Sequence, residues 1–139
     1  MILVEQNIEP DKLLEFFKKS YSEKDWFYAN LFSNTGNEYS IKANSMGFYV
    51  TKEYSESYPM AIYLMEIDEA ILSEYQGYIA KDVSEKYQTK TVIDFTHPEK
   101  PDNPYYSLLF DKGDCFLVDD IRWEEKEEFV VIEPWHITQ

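Results

Sequence analysis

Gly47-Phe48-Tyr49-Val50-Thr51-Lys52-Glu53-Tyr54-Ser55-Glu56-Ser57-Tyr58, running on through Pro59 to Leu72, is the stretch whose reading decides the fold. Phe48 to Thr51 is a β-branched and aromatic run behind a glycine, the composition of a strand. Lys52 to Tyr58 is polar with scattered aromatics and reads as a short helical turn. Pro59 ends that turn, because the residue before a proline is pushed out of the α region. Met60 to Ile67 is predominantly apolar, as in a strand buried on both faces. The tail Glu127-Glu128-Phe129-Val130-Val131-Ile132-Glu133-Pro134-Trp135-His136-Ile137 is a comparable stretch, and it is expected to partner the Met60–Ile67 strand.

Upstream, Ile2 to Gln6 reads as a short strand. Pro10 suits the first turn of a helix, and Leu13, Leu14, Phe17 and Tyr21 follow at helical spacing. Asp11 and the pair Lys18 and Lys19 sit at the ends that a helix dipole favours. Trp26 to Phe32 is aromatic and fits either helix or strand. Ser33 to Asn37 is a turn cluster, and Glu38 to Lys42 reads as another strand. Downstream, Tyr75, Ile79, Val83 and Tyr87 predict a helix over about Tyr78 to Tyr87. Thr89 to Phe95, Tyr105 to Phe110, Cys115 to Asp119 and Phe129 to Ile132 read as strands, with a turn at Asp111 to Asp114 and a proline-rich loop from His97 to Pro104. Strands outweigh helices. The expected class is α+β, a single domain of mainly antiparallel sheets with a few short helices: an N-terminal strand and helix over 1–24, then a core over 25–139.

The 139 residues favour one domain with one core, and 44% hydrophobic content suffices to fill it. No apolar run reaches the roughly 20 residues of a bilayer span, and no secretory signal pattern opens the chain. A cytoplasmic setting and no membrane partner are the expectation; the lone Cys115 can form no internal disulfide. The net charge of −14 excludes ordinary nucleic-acid binding, which needs lysines and arginines to displace counterions. It leaves simple solubility, or a surface that docks on a basic protein, including mimicry of nucleic acid.

The chemistry available is restricted. One cysteine and the distant His97 and His136 make no metal site. Asp119-Asp120 and the run Glu124, Glu125, Glu127, Glu128 lack the spacing of a calcium loop, and a solvated turn is their simpler reading. The four glycines are scattered and form no phosphate-binding loop. Cys115 has apolar flanks, as a buried thiol would.

The segment from Gly47 to Leu72 resembles the NAD-binding core of ADP-ribosyltransferases of the poly(ADP-ribose) polymerase and diphtheria-toxin type. The similarity runs in order over roughly Leu31 to Ile137. It implies a transferase-like core over 25–139 and NAD as substrate, with no metal. Tyr49 falls where that family stacks a tyrosine on nicotinamide, behind Gly47. Ser57 falls in the serine turn that lines the pocket. Glu128, at the head of the Phe129-Val130-Val131-Ile132 run, matches the catalytic glutamate. Ser33, Asn34 and Thr35 stand where the family has His-Gly-Ser or His-Gly-Thr. Ser33 replaces the histidine and Asn34 the glycine, a departure that bears on turnover more than on fold. The chemistry is coherent: breaking the glycosidic bond builds positive charge on the ribose, which a fixed carboxylate stabilises. The implied activity is NAD-dependent mono-ADP-ribosylation of a protein, of bacterial or phage type, as in a toxin or anti-defence effector. The alternative is a non-enzymatic acidic inhibitor or immunity protein that blocks a basic toxin or nuclease site. Glu124 to Glu128, Asp119, Asp120 and exposed tyrosines would then form its binding surface.

Overall fold

The computed structural model describes residues 1–29, 43–66 and 68–137. In chain order these form β1 (Ile2–Val4), α1 (Pro10–Ser20), β2 (Asp25–Tyr28), β3 (Ser45–Lys52), β4 (Met60–Met65), α2 (Glu69–Lys86), β5 (Lys90–Asp94), β6 (Tyr106–Asp111), β7 (Asp114–Asp119), α3 (Trp123–Lys126) and β8 (Val130–Pro134). The strands join in one sheet of eight, ordered β2-β3-β4-β1-β5-β6-β7-β8. Only β2 and β3 run parallel; every other neighbouring pair is antiparallel. The chain is a small α+β domain with a mostly antiparallel sheet and three described helices.

Strand alternation sorts the core into two layers. Ile2, Val4, Phe48, Met60, Ile62, Leu108, Phe110 and Leu117 pack with Leu13 and Phe17 of α1 and Ile79, Ala80 and Val83 of α2. The intervening residues Leu3, Ala61, Val92, Leu109 and Val118 face the other way, into a smaller layer closed by Tyr58, Trp123 and Phe129. The inner strands are thus buried on both faces, which accounts for the continuous apolar runs of β1 and β4.

α1 keeps its expected signals: proline in the first turn with Asp11, and Lys18 and Lys19 in the last. α2 begins well before the expected Tyr78, because Asp68 caps it, its carboxylate accepting from the Ala70 N–H at 2.9 Å. Its buried residues all lie from Ile79 onward. In the first two turns Leu72 and Tyr75 touch the core while still partly exposed, a weaker pattern in sequence than the buried half gives.

Lys52 to Tyr58 is not a helical turn. The β3–β4 connection passes through Glu53 at φ 60°, and backbone bonds from Tyr54 N–H to Pro59 and from Ser55 N–H to Tyr58 continue the hairpin. The expected partnership of the tail with the Met60 strand is also corrected. β4 is already flanked by β3 and β1, so the tail strand β8 pairs with β7 at the sheet's far end. At the other turn, Lys112 and Gly113 both take positive φ, the requirement of a tight two-residue hairpin between β6 and β7. The strand expected over Glu38 to Lys42 lies outside the described residues.

Candidate functional surface

The sequence-predicted residues divide. Gly47 sits on β3 directly opposite Phe27, whose ring lies over it; a Cβ there would stand 2.5 Å from the ring's Cζ. Its role is to leave room for that ring. Tyr49 is half-buried on the same strand, its ring stacked flat on Tyr63 of β4 at 4.7 Å and 8°. Ser57 is exposed in the β3–β4 connection, and Glu128 is exposed just ahead of β8. Ser33, Asn34 and Thr35 lie outside the described residues.

In strand order β3 and β8 are six positions apart. The link into β8 folds back, however. Phe129 meets the Tyr58 ring edge-on at 5.6 Å, and Trp123 meets it at 5.7 Å while stacking on Phe129 at 4.9 Å. The chain neighbours of Ser57 and Glu128 are thus in contact, whereas Tyr49 stands partway along β3. Burial, then the charges of Glu5 and Asp111, push the Tyr58 hydroxyl up to about 12, so it stays protonated beside this aromatic cluster.

Behind the cluster lies a pocket of about 190 Å³ whose walls include Leu3, Val92, Trp123 and Phe129. Asp94, Ser107 and Asp120 supply its polar side, and Ser107 Oγ donates to Asp120 at 2.9 Å. Burial raises the Asp120 carboxyl, Asp94 and Asp119 add to that, and the Ser107 bond works against it. Asp120 pairs with no cation among the described residues. Asp94 also faces the α-ammonium of Met1, which lines the same pocket, and the attraction opposes the lowering of that amine by burial. Asp119 and Asp120, which in sequence suggest a solvated turn, are both half-buried. Asp94, Ser107 and Asp120 come from separate strands and a loop, and no spacing rule links them.

The more extensive feature is the end of the sheet formed by α3 and β8. All five residues of β8 are exposed. Val130, Val131 and Ile132 retain 44%, 53% and 48% of their surface, and Ile121 59%. Around them, residues 119–133 carry seven carboxylates against Arg122 and Lys126 alone. None of those carboxylates forms an ion pair among the described residues. Asp119 is engaged otherwise, accepting from the Ile121 N–H at 2.8 Å. An exposed aliphatic strand framed by unneutralised acids suits recognition of an apolar surface that also carries positive charge.

His136 is exposed and lines a pocket that also holds Cys115. His97 is buried, packs against Tyr106 and Trp135, and accepts the Glu99 N–H at Nδ1. Burial pushes the Cys115 thiol up to about 11, with Lys81 opposing weakly, so it is a poor nucleophile near neutrality. Among the described residues no group of three or more His, Cys, Asp or Glu could hold a metal ion. No described helix is long and apolar enough to cross a membrane.

Comparison with known proteins finds no matching family model, no matching curated protein and no matching solved structure.

Proposed function

We propose that this protein is a non-enzymatic acidic binder that occupies a basic site on another protein, in the manner of an inhibitor or immunity protein. The observation that carries this reading is the α3–β8 end of the sheet, where exposed Val130, Val131 and Ile132 are accompanied by carboxylates that form no ion pair among the described residues. The carboxylates steer a basic partner at long range, and the aliphatic strand supplies the surface that loses water on contact. Trp123 and Phe129, stacked on each other, anchor the segment leading into the strand against Tyr58. The test is affinity purification on the immobilised protein beside a variant carrying Glu124→Lys, Glu125→Lys and Glu128→Lys. The expected outcome is a basic protein retained by the parent, released as salt rises and lost with the variant. Equal retention by both, or retention insensitive to salt, sinks the reading.

A second proposal is mono-ADP-ribosyl transfer from NAD. In its favour is the Tyr58–Phe129 contact, which draws the neighbours of Ser57 and Glu128 to one end of the sheet. Tyr49 stacked on Tyr63 offers a flat aromatic face. In this reading Glu128 stabilises the ribosyl cation. Glu128→Gln should then cost on the order of 3 kcal/mol in the barrier, a hundredfold or more in nicotinamide release. A parent protein that releases no nicotinamide and labels no acceptor removes this proposal and leaves the first intact.

A further inference from the structure

Edge strands are a hazard that folds ordinarily conceal, because every second residue directs its N–H and C=O away from its only neighbour. The two edges of this sheet differ. β2 buries Trp26, whose indole N–H donates to the Tyr21 carbonyl at 2.8 Å. β8 buries nothing: it has β7 on one side, no strand on the other among the described residues, and every side chain exposed. Its central residues are β-branched, as in a strand accustomed to a neighbour.

We infer that β8 receives an extended segment of the basic partner as a ninth strand of the sheet; this rests on the binding role proposed above. Main-chain bonds along the open edge would supply affinity without reading sequence. Selectivity would come from the carboxylates. Glu133 lies within the strand, and Glu124, Glu125, Glu127 and Glu128 lead into it, so an incoming strand rich in lysine or arginine is favoured.

The same charges identify the wrong occupant. A second copy of this chain would bring like charges together across the new ladder, which destabilises cross-strand pairs.

The experiment uses two short synthetic peptides on the full chain. Both alternate lysine and valine and have the same charge; one is N-methylated at every amide, so that neither of its edges can complete a ladder. The unmodified peptide is expected to bind about tenfold or more tightly than its methylated counterpart, and to slow amide exchange within residues 130–133. Equal binding by the two peptides overturns the added strand while leaving a charge-driven binder in place. Failure of both peptides, in a protein that still retains a basic partner in a salt-dependent way, also overturns it. So does protection of β8 that depends only on the concentration of the protein itself, since the occupant is then a second copy.

Discussion

The Tyr58 ring stands edge-on to Phe129, 5.6 Å between centroids and 83° between planes, and so pins the segment leading into β8 to the connection between β3 and β4. The two rings belong to the smaller core layer, on the face away from α1 and α2. Edge-to-face pairs of this kind couple by about 0.5–1.5 kcal/mol beyond the area they bury. A double-mutant cycle with Tyr58→Leu and Phe129→Leu should therefore return a coupling of about 1 kcal/mol in chemical denaturation. Strictly additive effects would show that the contact does not hold the tail in place.

Gly47 makes a second, sharper prediction. Its backbone is ordinary strand, so alanine meets no conformational penalty there. The obstacle is the Phe27 ring lying over it. An aromatic side chain covering a strand glycine compensates for the missing side chain. Gly47→Ala should displace the ring and cost about 1–3 kcal/mol, the usual range for overpacking. Pairing it with Phe27→Leu should recover part of the loss, and an unchanged melting temperature in Gly47→Ala would refute the packing argument.

Cys115 should resist alkylation. With its thiol raised to about 11, very little is thiolate near neutrality. Iodoacetamide labelling at about pH 8 should run about a hundredfold slower than that of an exposed cysteine peptide. The rate should keep rising as pH approaches the raised value while the fold persists. Labelling as fast as the peptide would contradict the buried environment.

Asp120 gives a pH prediction with a definite sign. Its carboxyl is raised in the folded chain, so the native state holds a proton more readily than the unfolded one. Charging it therefore costs stability, and that cost appears as pH rises from the ordinary carboxylate range through the raised value. Asp120→Asn removes the charge and keeps an acceptor for Ser107. The variant should melt higher than the parent near neutrality, by about 1–3 °C, since the group is partly solvated and the effect is correspondingly discounted. The difference should shrink through the ordinary aspartate range and vanish below about pH 3, where the parent carboxyl is protonated in both states. A variant that is less stable at neutral pH would mean that the carboxylate is stabilised by a partner.

Most individual elements were legible in the sequence. Pro10 with Leu13, Leu14 and Phe17 gave α1, and the Asp111–Asp114 turn gave the β6–β7 hairpin, because both rest on local signals. Pairing was not legible. Nothing local says that Leu3 lies between Ala61 and Val92, and the tail strand was assigned to β4 although β1 already filled that position. The first half of α2 is faint for a related reason: Leu72 and Tyr75 reach the core there while still partly exposed, and the Asp68 cap is its clearest mark. As for the candidate surface, its carboxylates were visible as a run. Their link to an exposed edge strand depends on where β8 docks, which only the assembled sheet reveals.

The position of β1 has a kinetic consequence. Three residues, Ile2–Val4, are the only described strand between β2-β3-β4 on one side and β5-β6-β7-β8 on the other. Their partners lie far along the chain, Ile2 opposite Ile62 and Leu3 opposite Val92. Two half-sheets can therefore form from nearer contacts quickly, but their hydrogen-bonded ladders join only when this keystone enters between them, a step that must close long loops, with α2 and the Tyr58–Phe129 contact bridging the halves besides. Folding should show a late, concerted phase in which Tyr63 and Phe116 reporters, one in each half, change together. A chain weakened at Leu3 should lose that synchrony first, and come apart along the seam before either half unravels.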